Sequence, residues 1–392
     1  MIRKTTAILL AVIVGFVCAG VTYFVMGSAY EAQMEGGDGQ LSLREFINVE
    51  NVIDKYYLRD YDMEDVQYAG LKAMVASLGD PYSVYYTPEE FAAFNRSSTG
   101  AYDGVGMGIS TDQVTGLTVV SYFIEGSAAE AAGVKVGDYI VSIDGEDVTG
   151  KSLQEISVLC IGEEGTSITI GVKRGDEVLE FEMIRQPVEL DMVEYKMQDD
   201  GIGYMRIKQF GGNCEALFNE GMDYFEEQGA KGIIFDLRDN PGGYLNTVVN
   251  MLDRLLPEGT IVYTEDKYGN RQTETSDAAS VDIPMVLLVN GHTASASEIF
   301  AGAIQDYGVG QVVGTRSYGK GVVQIVLPIS STGGGIKITS SEYFTPKGRS
   351  IDHNGIYPDH YVELSGDGDT QLDKAQSVLR AMMSSAQSED GN

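Results

Sequence analysis

The chain has 392 residues, with 27 basic and 58 acidic side chains and a formal net charge of −31. Binding nucleic-acid phosphates requires a cationic surface, so this charge argues against a nucleic-acid-binding protein. Hydrophobic residues make up 43% and charged residues 22%, which is ordinary for a globular protein and excludes wholesale disorder. The 3 cysteines and 3 histidines are scattered along the chain. We therefore expect no disulfide framework, no metal site and no other cofactor.

Residues 1–27 are predicted to form a signal anchor. Residues 7–26 contain no charged side chain, and Arg3 and Lys4 precede them. A helix of this length spans about 30 Å, the thickness of the hydrocarbon core of a bilayer. Basic residues before such a run keep the N-terminus in the cytoplasm, so we expect a single-pass cell-membrane protein with its main part outside the cytoplasm. The alternative is a secreted protein whose signal peptide is cleaved at residues 27–29 (GSA).

Residues 41–100 are predicted to form a small helical segment. Residues 28–40 precede it and contain the polar, Gly-rich sequence MEGGDGQ, which is typical of a linker. Ser42 begins a predicted capping box ahead of an apolar helical period. A second helix is predicted from Met63 to Leu78, and residues 87–90 (TPEE) offer an N-cap followed by proline for a third.

Residues 101–188 change to short strands and turns. They resemble a PDZ domain of the bacterial protease type in residues 126–138 (GSAAEAAGVKVGD) and in the Asp144-Gly145 turn. In such domains a peptide's C-terminus pairs with a sheet edge, and backbone N–H groups of a glycine-containing loop hold its carboxylate. The resemblance implies that this peptide-binding loop consists of Gly104, Val105, Gly106 and Met107.

Residues 189–365 alternate predicted strands and helices. Residues 232–237 and 285–290 are mostly apolar, as expected for strands buried on both faces, and a further strand covers residues 311–314. This alternation predicts an α/β domain with a parallel sheet and right-handed crossover helices. Functional residues of such sheets gather at the carboxyl ends of the strands. Residues 366–392 are predicted to form a C-terminal helix and an acidic tail.

Three loops leave the carboxyl ends of these strands: residues 236–243 (DLRDNPGG), 290–298 (NGHTASASE) and 315–321 (TRSYGKG). Ser295 is predicted to start a helix, where free N–H groups and the positive end of the helix dipole stabilise an oxyanion. The crossover helix and the strand after it return Lys320 to the same edge of the sheet. A Ser–Lys dyad is therefore one reading of these loops.

The dyad places a requirement on Lys320, which must be neutral to accept the proton of Ser295. Lowering the lysine pKa from about 10.4 to about 7 costs about 4–5 kcal/mol, and burial supplies shifts of that size. The neighbours of Lys320 that favour its burial are Tyr318, Val322 and Val323. Gln324 is placed to orient the amine, and Gly242 and Gly243 leave room for a backbone N–H to face the oxyanion.

Each candidate also has a purely structural interpretation. Ser295 and Ser297 are both explained as helix caps, and a lysine between glycines commonly lies in a solvated turn. His292 precedes Ser295 in the same turn and is a weaker candidate for the base. Asp306 is a candidate auxiliary residue, although an acid at a helix C-terminus more often pairs with a local cation.

Taken together, the motifs resemble the C-terminal processing peptidases, also called carboxyl-terminal or tail-specific proteases. The resemblance covers residues 41–375, and any one motif alone would be weak. Besides the PDZ pattern and residues 236–243, its carriers are residues 80–83 (DPYS), 86–88 (YTP), 293–303 (TASASEIFAGA), 319–324 (GKGVVQ), 355–359 (GIYPD) and 369–372 (DTQL).

The resemblance implies a serine endopeptidase that cuts extracytoplasmic proteins near their C-termini, with the PDZ domain capturing the tail and gating the site. It implies a Clp-protease/crotonase-like fold for the catalytic domain and suggests a homodimer. Carried over by position, it assigns the nucleophile to Ser295, the general base to Lys320 and the orienting amide to Gln324. The oxyanion N–H groups then come from Gly242, Gly243 and Ala296.

Two other classes of protein were weighed. A non-catalytic PDZ scaffold would bind tails without turnover, but the intact Ser295, Lys320 and Gln324 argue against it. An acyl-CoA enzyme of crotonase type suits the fold but fits neither the exported location nor the PDZ insertion.

Overall fold

The computed structural model describes residues 43–98, 101–112, 115–277, 280–366 and 368–389, and the chain divides into two compact units after Ser77. The described part of the first unit consists of helices α1 (Leu43–Tyr56) and α2 (Met63–Ala76). The Asp62 carboxylate caps α2 by accepting the N–H of Glu64 at 2.8 Å. The predicted anchor, the linker and the Ser42 cap lie outside the described residues, and within them no helix is long and apolar enough to cross a membrane.

The second unit begins with a turn, strand β1 (Val84–Tyr86) and helix α3 (Pro88–Ser98). Thr87 caps α3 as expected: its hydroxyl accepts the N–H of Glu90 at 3.3 Å, and the Glu90 carboxylate accepts the N–H of Thr87 at 3.0 Å. Within the predicted helical segment, the part from Leu78 onward belongs to the second unit and includes strand β1.

The PDZ-like part is an antiparallel domain with its own apolar core. Its strands are β2 (Ala101–Gly104), β3 (Met107–Thr111), β4 (Thr118–Phe123), β5 (Tyr139–Ile143), β6 (Glu146–Asp147), β7 (Ser167–Arg174), β8 (Glu177–Ile184) and β9 (Gln186–Glu189). Its helices are α4 (Ala128–Ala132) and α5 (Leu153–Cys160). The main sheet has the order β3-β4-β5-β7-β8 with β6 beside β5, and β2 pairs with β9 in a separate ribbon.

Local capping explains both helices of this domain. Ser127 accepts the N–H of Glu130 at 3.3 Å and starts α4, and Gly133 ends it at a φ of 100°. A reciprocal capping box between Ser152 and Glu155 starts α5. Among the described strands β3 pairs only with β4, so its outer edge is open.

The residues that follow form an α/β domain. Its first elements are β10 (Val193–Met197), a short 3-10 helix (Asp199–Gly201), β11 (Ile202–Ile207), α6 (Cys214–Glu227), β12 (Gly232–Asp236) and α7 (Leu245–Asp253). They are followed by β13 (Gly259–Asp266), β14 (Arg271–Ser276), β15 (Met285–Val289), α8 (Ala296–Tyr307), β16 (Gly310–Gly314), β17 (Val322–Pro328), β18 (Gly335–Phe344), β19 (His360–Tyr361) and α9 (Thr370–Glu389).

The central sheet confirms the predicted parallel topology. Its order is β10-β11-β12-β15-β16-β19, parallel throughout except for the antiparallel β10. Every residue of β12 and β15 is buried, because one face packs against α6, α7 and α8 and the other against α9. The carboxyl ends of β12, β15 and β16 lie side by side, so the three loops that follow them share one edge of the sheet.

A second, five-stranded sheet in this domain was not predicted from the sequence. Strand β18 pairs with β1, β13 and β17, and β14 continues the sheet from β13. The residues of β14 are almost all exposed, and those of β18 are mostly half-buried, so neither strand carries a clear apolar alternation. Strand β1 precedes the PDZ-like domain in the chain, and through this sheet it becomes part of the α/β domain.

We predict that Arg238→Met destabilises the domain by about 3–5 kcal/mol, because it leaves the buried Asp236 without its counter-charge. Arg238 bridges Asp236 at 2.6 Å and Asp369 at 2.7 Å, and the Asp236 side chain is only 1% exposed. The free energy of unfolding in urea measures the loss. The control is Arg271→Met, which removes an exposed pair at 3.5 Å and should cost less than about 1 kcal/mol. Equal losses in the two variants would contradict the prediction.

Candidate active site

Ser295 immediately precedes the first residue of α8 and has a strained backbone. Its φ of 57° is positive, which is uncommon for a residue with a side chain. The Glu298 carboxylate accepts the Ser295 N–H at 2.8 Å. A Cβ at Gly242 would lie 2.7 Å from the Ser295 Cβ, so only glycine lets the two loops approach this closely. The strained turn leaves Ser295 half-exposed at the helix entrance.

Ser297 has a different environment. Its side chain is fully buried, and its hydroxyl donates to the Asn240 carbonyl oxygen at 3.1 Å. Ser297 therefore fastens α8 to the loop after β12. Of the two serines, only Ser295 lines the cleft described next.

A cleft of about 290 Å³ lies at this edge of the sheet. It brings together five of the predicted residues: Ser295, Ala296, Lys320, Gln324 and Gly243. Residues that the sequence did not single out complete it: Tyr343, Lys337, Phe94, Tyr244, Ile299 and Val326. Its wall combines a hydroxyl and two amines with apolar side chains, as expected of a site that binds an extended organic chain.

Lys320 is half-buried in the wall of this cleft. Burial lowers the pKa of its amine from the ordinary value of 10.5, and the positive charge of Lys337 lowers it further, against the opposing charges of Asp80 and Glu298. The amine lies 4.8 Å from the centroid of the Tyr82 ring. The direction of the shift is the one that a lysine needs in order to act as a base.

Tyr343 fixes the backbone of Lys320 at the cleft. It is buried, and its hydroxyl donates to the Lys320 carbonyl oxygen. Burial, and the nearby charge of Glu298 after it, raise the pKa of Tyr343 well above its ordinary value. The hydroxyl therefore stays protonated and acts as a fixed hydrogen-bonding group.

Glu298 is a central residue that sequence reasoning missed. Its fully buried carboxylate accepts four hydrogen bonds, which come from the Ser317 hydroxyl at 2.6 Å and from the N–H groups of Gly319 at 2.7 Å, Lys320 at 2.9 Å and Ser295 at 2.8 Å. Burial raises the pKa of Glu298, and these donors oppose the rise. The S-x-x-E spacing from Ser295 could have indicated it as a helix-start carboxylate.

The predicted oxyanion donors are not equivalent. The Gly242 N–H donates to Asn240 Oδ1 at 2.9 Å, so it is already occupied. Within the described residues the N–H groups of Gly243 and Ala296 have no acceptor, and both residues line the cleft. A Cβ at Gly243 would lie 2.1 Å from the Phe210 carbonyl oxygen, which explains the second glycine of the pair.

Gln324 reaches the cleft from β17. Its amide nitrogen donates to the Val322 carbonyl oxygen and to Thr339 Oγ1, each at 3.3 Å. Over the part of the chain that the structure describes, Gln324 makes no hydrogen bond to Lys320. It thus lies in the same cleft as the amine, without direct contact in this conformation.

Two other candidates lie away from the cleft. Asp306 is buried near the far end of α8, eleven residues beyond Ser295, or about 16 Å along the helix. It pairs with Arg349 at 2.6 Å and accepts the Lys347 N–H at 2.9 Å, which is the structural role expected of an acid in that position. The His292 side chain is 82% exposed and contacts Asp239 at 3.0 Å. The structure brings neither residue to Ser295.

The predicted PDZ loop connects β2 to β3. Gly104 ends β2 and Met107 begins β3, so Val105 and Gly106 form the connection. The Val105 side chain is buried in the core of the domain, and Gly106 has a φ of 69°. Within the described residues the N–H groups of Val105 and Gly106 have no backbone acceptor, while their carbonyl oxygens accept from Ala129 and Ile124.

Comparison with known proteins identifies the class. The family model for peptidase family S41 matches residues 201–362, and a PDZ domain model matches residues 119–174. The fold and the cleft with its serine at a helix entrance thus define a serine-type peptidase, a hydrolase, that carries a PDZ domain.

One relative and two solved structures are similar to this chain. The chain is 36% identical over 317 residues to the carboxyl-terminal-processing protease of Synechocystis sp., covering 79% of this chain and 74% of the relative. It is 31% identical to the structure of a photosystem II D1 C-terminal processing protease, with a TM-score of 0.51 over 85% of this chain and 90% of that one. A structure of an S41-type protease from Bacteroides fragilis, 15% identical with a TM-score of 0.56 over 89% of this chain and all of that one, shares the fold. The chain belongs to peptidase family S41, among the carboxyl-terminal-processing proteases.

We predict that Glu298→Gln lowers the free energy of unfolding by about 2–4 kcal/mol, because an amide cannot accept from all four donors and turns its own N–H toward some of them. The displaced loops should also cost about 100-fold in kcat. Urea unfolding and peptide cleavage measure the two effects. Glu274→Gln, on the exposed face of β14, is the control and should change neither. Wild-type activity in Glu298→Gln would disprove the bracing role.

Proposed function

We propose that this peptidase uses a Ser295–Lys320 dyad to cleave extracytoplasmic proteins near their C-termini, after its PDZ domain has captured the substrate tail. The observation that carries the proposal is the single cleft that holds the half-exposed Ser295 and the half-buried Lys320, whose pKa is lowered chiefly by burial. A serine hydroxyl and an amine that can be neutral are the minimum set for acyl transfer without histidine.

The chemistry follows from these positions. Neutral Lys320 takes the proton of Ser295 as Oγ attacks the scissile carbonyl carbon. The oxyanion that forms accepts hydrogen bonds from the N–H groups of Gly243 and Ala296, which have no other acceptor in the described structure. The Lys320 ammonium then donates its proton to the leaving amine. Water enters, Lys320 again acts as base, and the ester to Ser295 is hydrolysed.

The helix entrance favours the same step. Ser295 stands at the N-terminus of α8, where the helix dipole is positive and stabilises the developing negative charge. The strained backbone of Ser295 is held by the Glu298 carboxylate and by close packing of Gly242. A nucleophile fixed in this way loses little freedom on reaching the transition state.

Strand β17 is the proposed binding edge for the substrate backbone. It pairs with β18 and with no other described strand, and it begins two residues after Lys320. Val322, Val323 and Val326 from this strand line the cleft. An extended peptide that pairs with the free edge of β17 places its backbone beside Ser295, and the valines contact its side chains.

The PDZ domain is proposed to hold the tail of the substrate. The N–H groups of Val105 and Gly106 have no backbone acceptor in the described structure, and the neighbouring edge of β3 is open for strand addition. The ribbon of β2 and β9 carries the chain into and out of this domain. A tail bound there raises the local concentration of the segment before it at the cleft, which is the proposed means of gating.

The extracytoplasmic location and the membrane attachment are proposed from the sequence alone. The uncharged residues 7–26 and the basic residues before them support both proposals. The proposed substrates are therefore proteins exposed outside the cytoplasm. The strongly negative charge of the chain also argues against binding to nucleic acid.

We predict that Ser295→Ala and Lys320→Ala each lower kcat for peptide cleavage by at least about 10⁴-fold. A fluorophosphonate probe should label Ser295 in the wild type. The kcat/KM of the wild type should rise with pH along a limb set by Lys320 and centred below 10.5, because burial lowers its pKa. Ser297→Ala is the matched control, since its hydroxyl only bonds the Asn240 carbonyl, and it should remain active. Undiminished cleavage by either alanine variant of the dyad would rule out the mechanism.

We predict that substrates with a free C-terminal carboxylate are cleaved at least about 10-fold more efficiently than the same peptides with an amidated C-terminus. Gly106→Ala should remove this difference, because the added Cβ lies 2.6 Å from Ser127 and the loop cannot keep its φ of 69°. The control is Gly116→Ala, also at a positive φ but with nothing within 4 Å. Paired kcat/KM values measure the effect, and equal values in the wild type would contradict capture of the carboxylate.

A further inference from the structure

The turn before β1 has a sequence motif but no role in the mechanism above. Asp80 accepts the N–H of Tyr82 at 3.0 Å and the hydroxyl of Ser83. The Ser83 hydroxyl in turn accepts the N–H of Thr339 at 3.1 Å, which fixes the turn on β18. Hydrogen bonds to Asp80 outweigh its burial and lower its pKa, so this acid is charged. The turn is thus a rigid, anionic part of the catalytic domain.

Tyr82 projects from this turn onto the general base. The Lys320 amine lies 4.8 Å from the centroid of the Tyr82 ring, within the range of a cation–π interaction. Burial, and neighbouring Tyr318 after it, raise the pKa of Tyr82 to about 12, so the ring is neutral when it faces the amine.

A second lysine of the cleft is held in a similar way. The Lys337 amine lies 5.5 Å from the ring centroid of Phe94 and 5.9 Å from that of Tyr86, and these two rings stack at 5.0 Å. Lys337 makes no ion pair with any residue that the structure describes. It lines the same cleft as Lys320, and its charge acts on that amine.

We propose that Tyr82 is a positioning residue for the general base: its ring holds the Lys320 amine at the cleft that Ser295 also lines, and Lys337, which lies against Phe94 and Tyr86, places a second positive charge in the same cleft. This inference rests on the proposed dyad. It gives the residues from Asp80 to Phe94, which precede the PDZ domain in the chain, a direct part in the site.

The two neighbours act with opposite sign on the proton of Lys320. The Tyr82 ring face attracts the ammonium form, and Lys337 repels it. The other charged groups that act on the amine are Asp80 and Glu298, both of which favour the ammonium form. The Tyr343 hydroxyl donates to the backbone carbonyl oxygen of Lys320, and because its pKa is raised it stays neutral and adds no charge. A general base must be neutral before the attack and charged after it. The charge of Lys337 favours the neutral form of Lys320, and the Tyr82 ring stabilises the ammonium form.

Substitutions at the two positions should therefore move the pH dependence in opposite directions. Tyr82→Leu keeps an apolar cover but removes the ring face, so the ascending limb of kcat/KM should move to lower pH by about half a unit or more, and maximal kcat should fall about 10-fold. Lys337→Met removes the repelling charge, so the limb should move to higher pH by a similar amount. Fluorophosphonate labelling of Ser295 against pH provides a second readout, independent of peptide binding.

Matched variants separate the ring and the charge from other changes. Tyr82→Phe keeps the ring and removes only the hydroxyl, so the ascending limb of its kcat/KM profile should stay at the wild-type pH. Lys337→Arg keeps the charge and should do the same. Tyr82→Met is a second side chain without a ring face, so a folding failure of Tyr82→Leu, detected by urea unfolding, leaves the test in place.

Several outcomes would overturn the inference. A limb that stays in place in Tyr82→Leu, or moves to higher pH, would mean that the ring only shields the amine from water. If the ascending limb of kcat/KM moved in the same direction in Tyr82→Leu and Lys337→Met, the two residues would not act on Lys320 with opposite sign. Lys320→Ala separates the proposed dyad from the proposed role of Tyr82. If Lys320→Ala is inactive while the ascending limb of kcat/KM in Tyr82→Leu stays at the wild-type pH, the role of Tyr82 is disproved and the dyad stands. If Lys320→Ala is active, the proposed function itself fails.

Discussion

The site depends on one buried carboxylate. Glu298 accepts hydrogen bonds from Ser295, where α8 begins, and from Ser317, Gly319 and Lys320, in the loop after β16. A buried charge is tolerated only when donors satisfy it, so the two loops have no low-energy way to separate. The helix entrance and the lysine loop are held together by this requirement, which fixes the backbone positions of Ser295 and Lys320.

The cleft is lined by two basic side chains, although the chain as a whole is strongly acidic. The protein carries a formal net charge of −31, yet two amines, Lys320 and Lys337, line one cleft. Each lies against an aromatic ring, Tyr82 for the first and Phe94 for the second. A ring face attracts a cation without supplying a full negative charge, so it can hold an amine in place while burial still lowers the pKa of that amine.

Local signals in the sequence predicted much of this fold and the residues that meet in the cleft. The cap at Thr87 and the buried runs of β12 and β15 could be predicted because they depend on neighbouring residues alone. The sheet around β18 was missed because its strands are half-exposed and pair over long sequence distances, with Val84 facing Lys337. Tyr82, Lys337 and Tyr343 were missed with it, since their roles exist only once that sheet forms. Glu298 was missed for another reason: its position three residues after Ser295 indicates only a helix-start carboxylate, and its burial depends on the loop after β16 packing over it.

The order of the chain explains why these missed residues matter. The PDZ domain is inserted between α3 and β10, so the segment before it, with β1 and α3, must pair with the sheet that follows it. That pairing puts Tyr82 against Lys320 and Phe94 against Lys337. Both aromatic residues belong to the segment that immediately precedes β2 in the chain. The chain enters the PDZ domain from α3 and leaves it through β9, which pairs with β2. The proposed gating and the proposed tuning of Lys320 therefore both involve the segment that leads into β2.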